Sequence, residues 1–289
     1  MSELIIRSSQ PTPIGEHLNP GSLFGTLIRH RELIRNFAAR EVFERHKGAL
    51  LGVAWNVINP LLTLAIYTMV FGYIFKSRWD GRGELPASVE FPLVFFVGQT
   101  LFHVFAESAN RAPTLVSSRS NLVRKVVFPI EILPVTIVLS SLVYAAITSA
   151  ICVVVLLIAK GSIPVQAMFY PLVYIPLIML ALGVSWFLAS IGVFVRDVRH
   201  IVQVLTQLLF FMTPIVYNDE RLRQVPGWLG WVVNANPLSA IIENGRRALL
   251  WGEPLQWGRL ATVTVFAAIV MQLGYAYFMA TRRGMADVH

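Results

Sequence analysis

The chain has 289 residues, of which 55% are hydrophobic and only 14% are charged. A soluble globular protein of this length does not need so many apolar residues to fill its core, so lipid is the expected solvent of the fold. The formal net charge of +8 is explained by basic residues beside apolar segments and gives little reason to expect nucleic acid as a partner. The single cysteine, Cys152, excludes an intrachain disulfide and leaves no Cys-based metal site.

The residues before position 48 are not expected to cross the membrane. Residues 1–22 contain three prolines and lack the apolar core of a cleaved signal peptide, which predicts a flexible tail. Residues 23–47 place apolar side chains at helical spacing and most arginines away from them, which predicts an amphipathic helix on the inner membrane surface. Its basic end, Arg40, Arg45 and Lys47, suits anionic lipid head groups. A plain topology anchor would show the same residues.

Residues 48–289 are the predicted transmembrane domain. An apolar run of about 20 residues crosses the hydrocarbon layer as a helix, and six runs meet or approach that length. They are Val53–Phe75, Phe91–Ala112, Ile132–Ala159, Met168–Val195, Ile201–Tyr217 and Leu260–Ala280. The runs are continuous and do not alternate, so the predicted fold class is an all-α membrane protein with six transmembrane helices.

Basic residues are distributed unevenly about these spans. Most of the 24 Lys and Arg residues fall in the N-terminal segment or in the loops on its side of the membrane. The positive-inside rule assigns that side to the cytoplasm, so both termini are predicted to be cytoplasmic.

Five segments beside the spans follow one another in a distinctive order. They are Arg45–Pro60, SNLVRKVVFPIEILP at Ser120–Pro134, FVRDV at Phe194–Val198, TPIVY at Thr213–Tyr217 and NPL at Asn236–Leu238. The first has a basic cluster, then Gly48 and Gly52 at GxxxG spacing. Together the segments resemble the permeases of the ATP-binding-cassette type-2 exporter class, particularly those that export polysaccharides. The resemblance covers nearly the whole chain from Arg29 onward.

The resemblance implies partners that supply the energy. No Gly-x-x-x-x-Gly-Lys-Ser/Thr segment occurs in the chain, so no loop is present to cradle a nucleotide phosphate. ATP and Mg²⁺ are therefore expected on a separate ATP-binding-cassette ATPase, with no cofactor in this chain. The family implies two ATPase copies and a second copy of this chain.

The connector between the second and third spans is the expected contact with the ATPase. It would form a short amphipathic helix, and the resemblance implies that such a coupling helix docks in a groove of the ATPase. The candidate coupling residues are Arg119, Asn121, Leu122, Arg124 and Lys125. The alternative is that the basic residues only fix topology.

Glu107 is the most conspicuous charge within a predicted span, and His103 and Arg111 lie four residues to either side. An intramembrane carboxylate is costly unless it is paired or reaches water. A local Glu107–Arg111 pair is the preferred interpretation. The alternative makes His103 and Glu107 part of the wall of a polar pathway. Two possible ligands are too few for a metal site.

Aromatic side chains in the first span are candidates for contact with a sugar. Tyr67, Phe71 and Phe75 recur every four residues on one helix face, and aromatic faces can stack on pyranose rings. They are the predicted pore-lining residues together with His103 and Glu107. Packing against a neighbouring helix would produce the same spacing.

Residues 218–258 form a predicted external segment before the last span. It is apolar but broken by Pro, Gly and Asn, which predicts a re-entrant pair of short helices. In polysaccharide exporters this position resembles an outer gate, and the gate candidates are Tyr217, Trp228, Trp231 and Asn236. For the two tryptophans, an interfacial anchor is the alternative.

The predicted function is that of a transport subunit that exports a lipid-linked, O-antigen-like polysaccharide across the bacterial inner membrane, with no catalytic residues of its own. Lipid-linked glycan and membrane lipids are the expected ligands. A type-2 exporter of a small molecule or drug is the nearer alternative. An intramembrane sugar or lipid transferase fits less well, because Asp219-Glu220 is the only adjacent acidic pair.

Overall fold

The computed structural model describes residues 20–44, 49–75, 79, 85–119, 128–217 and 226–287. Within these ranges the regular secondary structure is helical, and no strand occurs. The predicted all-α class is therefore confirmed.

The segment predicted to form one amphipathic helix forms two helices. Helix α1 covers Pro20–Arg29 and helix α2 covers Arg31–Glu44, with a turn at His30. Backbone hydrogen bonds continue through the turn, from His30 N to Thr26 O at 3.1 Å and from Ile34 N to His30 O at 2.9 Å. The turn therefore bends the segment without leaving backbone groups unpaired. Residues 45–48, with the predicted head-group residues Arg45 and Lys47, lie outside the described ranges.

Within the described ranges, five helical segments are long and apolar enough to cross a membrane. They are Gly52–Ile74, Ser88–Leu115, Ile132–Lys160, Val165–Phe194 and Trp257–Arg282. The first contains helix α3 (Trp55–Tyr67), which continues as a π-helix over Thr68–Ile74. The others contain helix α4 (Ala87–Leu115), helix α5 (Ile132–Lys160), helix α6 (Tyr174–Phe194) after a 3₁₀ segment at Val165–Val173, and helix α10 (Trp257–Asp287). All five agree with predicted spans to within a few residues.

The fifth predicted span contains a shorter helix. Helix α7 covers Val198–Phe211, and its 14 residues extend ~21 Å, less than the ~30 Å hydrocarbon layer. It lies along α4 in the opposite direction. Thr206 Oγ1 donates to Asn110 Oδ1 at 2.9 Å, and the Phe210 and Phe102 rings are 5.3 Å apart. The chain then continues along α4 as irregular backbone through residues 212–217.

The predicted pair of short helices before the last span is found. Helix α8 covers Gly227–Ala235 and helix α9 covers Pro237–Arg246, and the chain continues as a π-helix over Arg247–Trp251. Asn236 separates the two helices and has an extended backbone. Most of α9 is buried, whereas most of α8 is at least partly exposed.

Close contacts between helices depend on small residues. A Cβ atom added to Gly274 of α10 would lie 2.1 Å from Gly183 O of α6, and one added to Gly192 of α6 would lie 2.1 Å from Pro113 O of α4. Ala181, Ser185 and Ala189 recur every fourth residue on α6 and are buried. These small residues therefore pack within one chain.

Both terminal regions lie at the same end of the helix bundle. Tyr275 of α10 donates a hydrogen bond to Thr26 Oγ1 of α1 at 3.4 Å, and Arg282 Nη2 donates to Phe128 O at 3.2 Å. This end carries both described flanks of the loop between α4 and α5, and we call it the connector end. Helices α8 and α9 lie at the opposite end.

Candidate functional site

The first flank of the connector is tied to the amphipathic helix by a buried carboxylate. Glu41 of α2 is 6% exposed, and its two oxygens accept hydrogen bonds from Arg111 of α4 and from Arg119 of the 3₁₀ turn Ser117–Arg119. A carboxylate bound by two guanidinium groups is held more firmly than one in a single surface ion pair. Arg119, a predicted coupling residue, is thus fixed to α2.

The charge state of Glu41 follows from these partners. Burial alone would raise the pKa of the Glu41 carboxyl, but the hydrogen bonds and positive charges of Arg111 and Arg119 lower it below its ordinary value of 4.5. The carboxylate is therefore ionised at neutral pH, and the three side chains form a charged cluster.

The cluster continues along α4 away from the connector. Arg111 Nη1 donates to Glu107 Oε1 at 3.2 Å, and His103 Nε2 lies 3.1 Å from Glu107 Oε2. The predicted Glu107–Arg111 pair is therefore confirmed, and it is part of a larger network that also includes Glu41. The His103 ring lies 4.8 Å from the Tyr144 ring of α5. Among the described residues no group of three or more His, Cys, Asp or Glu side chains is placed to hold a metal ion.

The second flank of the connector is fastened to the last helix. Arg282 Nη1 lies 3.1 Å from Glu131 Oε2, and Glu131 is 5% exposed. Trp186 of α6 donates its ring N–H to Glu131 O at 2.9 Å. The Phe128 ring lies 5.5 Å from that of Phe37 on α2. Both described flanks therefore contact α2, directly or through one side chain, and the second also contacts α6 and α10.

The connector between these flanks, residues 120–127, lies outside the described ranges. The predicted coupling residues Asn121, Leu122, Arg124 and Lys125 belong to it. Of the three predicted head-group residues, Arg40 is described, and it is exposed on α2.

The predicted pore aromatics lie at the interface of α3 and α4. The Tyr67 ring is 4.3 Å from Phe95, and the Phe71 ring is 4.9 Å from Phe91. Both side chains are half-buried, whereas Phe75 is 66% exposed. Within one chain, Tyr67 and Phe71 therefore pack on the neighbouring helix, and only Phe75 presents most of its ring to the surroundings.

At the opposite end, Asn236 joins α9 to the TPIVY segment. Its Oδ1 accepts from Leu238 N at 3.0 Å, which caps α9. Its Nδ2 donates to Thr213 Oγ1 at 2.9 Å. Two of the sequence segments singled out by the resemblance are thus in direct contact. Trp228 and Trp231 are 68% and 72% exposed on α8, and Tyr217 is half-buried.

Arg246 is a central residue of this end that the sequence analysis did not select. It is 1% exposed. Its Nε donates to Val94 O at 3.0 Å, its Nη1 to Pro214 O at 2.6 Å and its Nη2 to Ile215 O at 3.0 Å. The guanidinium also lies 4.7 Å from the centre of the Trp79 ring. One side chain therefore satisfies carbonyl groups of α4 and of the irregular backbone after α7.

Neither Glu41 nor Arg246 was selected by the sequence analysis, although the sequence contained a signal for each. Glu41 is spaced four residues from Phe37 and seven from Ile34, which places an acid on the apolar face of the predicted amphipathic helix. Arg246 stands in a segment whose other members are mostly apolar. A charge on a face predicted to be buried indicates a partner elsewhere in the fold.

These features define a multi-pass membrane protein whose ion pairs are concentrated at the connector end and whose broken helices lie at the opposite end. The chain belongs to the ABC-2 type transporter family, which matches residues 32–250. The predicted family is thereby confirmed. Membership implies a permease subunit that works with an ATP-binding-cassette ATPase.

Named relatives cover most of the chain. It is 31% identical over 205 residues to the O-antigen export system permease protein RfbA of Myxococcus xanthus, covering 69% of this chain and 75% of that protein. It is 25% identical over 272 residues to RfbA of Klebsiella pneumoniae, covering 93% and 97% of the two chains. It is also 22% identical over 248 residues to the polysialic acid transport protein KpsM of Escherichia coli, covering 85% and 92%.

Proposed function

We propose that this chain is the permease subunit of an ATP-driven exporter that moves a lipid-linked, O-antigen-like polysaccharide out of the cytoplasm across the bacterial inner membrane. The observation that carries the proposal is the similarity to an O-antigen export permease over 93% of this chain. The KpsM relative, a polysialic acid transport protein, supports polysaccharide as the general class of cargo.

We assign the connector end to the cytoplasm. The positive-inside rule favours this orientation, and the contacts that bring α1, α2 and the end of α10 to that end support cytoplasmic termini. Helix α7 and the irregular backbone after it make the sixth crossing. Arg246 supports this assignment, because non-helical backbone is tolerated at membrane depth only where protein or water satisfies it.

The complex contains two copies of this chain and two ATPase subunits, with ATP and Mg²⁺ bound by the ATPase. The first span leaves much apolar surface uncovered in a single chain, including Leu61, Leu62 and Ile66, which are 46%, 51% and 54% exposed. A second copy would cover part of this surface and would form the other half of the conduit.

Coupling runs from the ATPase through residues 120–127 to both flanks of the connector. Asn121, Leu122, Arg124 and Lys125 contact the ATPase, and Arg119 carries the displacement to α2 through Glu41. Glu131 carries it to α10 through Arg282. Because each flank is fastened by a charged pair, movement of the connector displaces the amphipathic helix and the last span together.

The cargo is recognised by charge at the membrane surface and by aromatic rings along the conduit. Arg40, Arg45 and Lys47 bind the lipid pyrophosphate, since guanidinium and ammonium groups bind phosphate strongly. Tyr67, Phe71, Phe75, His103 and Glu107 line the path in the dimer, and Tyr217, Trp228, Trp231 and Asn236 form the outer gate.

Reconstitution with the ATPase tests the proposal. We expect lipid-linked glycan to stimulate ATP hydrolysis, and the Arg45→Gln/Lys47→Gln variant to lose most export while it still assembles with the ATPase. Stimulation by small amphipathic molecules but not by glycan would assign the chain to the small-molecule exporters. Glycan chemistry by this chain without any ATPase would overturn the proposal in favour of a transferase.

A further inference from the structure

A groove with apolar walls separates the amphipathic segment from the third span. It has a volume of about 660 Å³, within the ~300–1,000 Å³ range of small-ligand sites. One wall is formed by α1 and α2, including Ile34 and Ala38, and the other by α5, including Leu142 and Ala146. Water has few hydrogen-bonding partners between such walls, so hydrocarbon is the favoured filling.

The groove lies beside the hydrocarbon layer and not in the aqueous phase. Its α5 wall runs from Leu139 to Ala146, which is ~10–21 Å along the helix from its first residue, Ile132. Its α2 wall runs from Arg31 to Val42, ~16 Å of helix. The ~10 Å of spanning helix in the α5 wall fits within one leaflet of a ~30 Å hydrocarbon layer, and therefore suits one acyl chain.

Two arginines line the same groove. Arg31 and Arg35 are four residues apart on α2, so their guanidinium groups share a helix face, and both are exposed. In the part of the chain that the structure describes, neither forms an ion pair with an acidic side chain. Like charges at this spacing repel each other, and an anion between them removes the repulsion. Guanidinium pairs bind phosphate oxygens well.

We propose that this groove binds one anionic membrane phospholipid, with an acyl chain between α2 and α5 and its phosphate on Arg31 and Arg35. The lipid would hold the amphipathic segment against the third span. The inference depends only on the membrane placement of the chain and is independent of its cargo. It is also separate from the head-group residues proposed for the cargo, because Arg40, the described member of that set, does not line the groove.

The test measures thermal unfolding of the purified permease in detergent, with dioleoyl phosphatidylglycerol or dioleoyl phosphatidylcholine titrated over the same range of mole fractions. We expect phosphatidylglycerol to stabilise the wild type at about a tenfold lower mole fraction. Arg31→Gln/Arg35→Gln should abolish this preference and keep the weaker response to phosphatidylcholine. Ala146→Phe, at an exposed position that lines the groove, should fill the groove and remove both responses.

The matched control is Arg29→Gln/Arg199→Gln, which removes two exposed positive charges that do not line the groove. It should keep the preference for phosphatidylglycerol. The proposal would be overturned if both double variants lost the preference for phosphatidylglycerol equally, or if the wild type showed no such preference. Stabilisation by a polyprenyl phosphate but not by phosphatidylglycerol would assign the groove to the cargo lipid. A cross-link from Val143→Cys to a second copy would assign it to the dimer interface. Neither ATPase nor glycan is present, so failure here is distinguishable from failure of the proposed export function.

Discussion

At the scale of single residues, two buried charges organise the two ends of the bundle. Glu41 is enclosed by two guanidinium groups at the connector end, and Arg246 is enclosed by backbone carbonyls at the opposite end. A buried charge is costly unless its hydrogen bonds are made. Each residue therefore stabilises only the arrangement in which its partners come from several elements at once.

Glu41→Gln should lower stability at neutral pH, because it leaves Arg111 and Arg119 without their shared carboxylate. Glu41 is buried while its partners are partly exposed, so we expect a loss of about 1–3 kcal/mol, between the values for surface and buried pairs. Thermal unfolding of the purified chain measures it. Glu44→Gln, at an exposed position of the same helix, should change stability by less than about 0.5 kcal/mol.

The difference in stability between wild type and Glu41→Gln should also depend on pH. The pKa of the folded Glu41 carboxyl is lowered from 4.5, so its stabilisation is fully present above pH 4.5 and is lost as the pH falls through the lowered value. The difference in melting temperature between wild type and Glu41→Gln should therefore be constant near neutral pH and shrink below pH 4.5. A difference that is unchanged down to the lowest pH at which the protein folds would contradict the ion cluster.

Arg246→Lys should destabilise the opposite end although it keeps the positive charge. A single ammonium cannot reproduce the fork of the guanidinium, so at least one carbonyl of Val94, Pro214 or Ile215 would lose its donor. Each unsatisfied buried group costs about 1–3 kcal/mol. Thermal unfolding should show the loss, and Arg259→Lys, at an exposed position, is the matched control. A wild-type melting temperature for Arg246→Lys would contradict the assigned contacts.

At the scale of elements, α6 is packed between α4 and α10 through glycines. Gly192 allows the approach of Pro113 on α4, and Gly183 and Gly274 bring the backbones of α6 and α10 together. Helices in lipid lack a hydrophobic force between them, so close van der Waals contact of this kind supplies much of the association. The buried ridge of Ala181, Ser185 and Ala189 continues the same surface.

Gly274→Ala should weaken this contact, because the added Cβ would lie 2.1 Å from Gly183 O and the two backbones would have to separate. Gly258→Ala is the control on the same helix, since its Cβ would meet nothing within 4 Å. Helix propensity alone favours alanine by up to about 1 kcal/mol. We therefore expect opposite shifts in melting temperature, downward for Gly274→Ala and zero or upward for Gly258→Ala. An upward shift for both would contradict the close approach.

At the scale of the whole molecule, the fold separates a connector end rich in ion pairs from an opposite end built of short, broken helices. The ion pairs Glu41–Arg111, Glu41–Arg119 and Glu131–Arg282 all lie at the connector end. An ATPase that displaces the connector would act on α2 and α10 at once. The opposite end would respond through α10, which follows α9 in the chain.

Cysteine labelling tests the proposed topology, including the crossing by the short helix α7. In a Cys152→Ala background, a membrane-impermeant maleimide added to intact spheroplasts should label Ser162→Cys and Gly227→Cys. It should label Ser118→Cys and Arg199→Cys only after the membrane is opened. All four positions are exposed. Labelling of Arg199→Cys and Gly227→Cys from the same side would show that residues 200–226 do not cross.

The elements were predictable where one segment carried its own signal. The five long helices follow from runs of apolar residues, because a span must satisfy its backbone internally and face lipid. The break at Asn236 follows from the Asn-Pro pair, which caps α9. The pair Glu107–Arg111 follows from helical spacing alone. In each case the interacting groups are separated by fewer than five residues.

The partners of the candidate sites were not predictable in the same way. Tyr67 and Phe71 are spaced as pore-lining or packing residues would be, and only the position of α4 shows that they contact Phe91 and Phe95. The division of the amphipathic segment at His30 has no proline or glycine at the break to mark it.

The sequence by itself determined the membrane class, the long spans and the family, because hydrophobicity and short motifs are local properties. Only the tertiary structure decided that Glu41 joins α2 to α4 and that Arg246 holds the irregular backbone after α7. The physical reason is that a buried charge requires partners but does not by itself identify them. Helices distant in sequence must pack before those partners are defined.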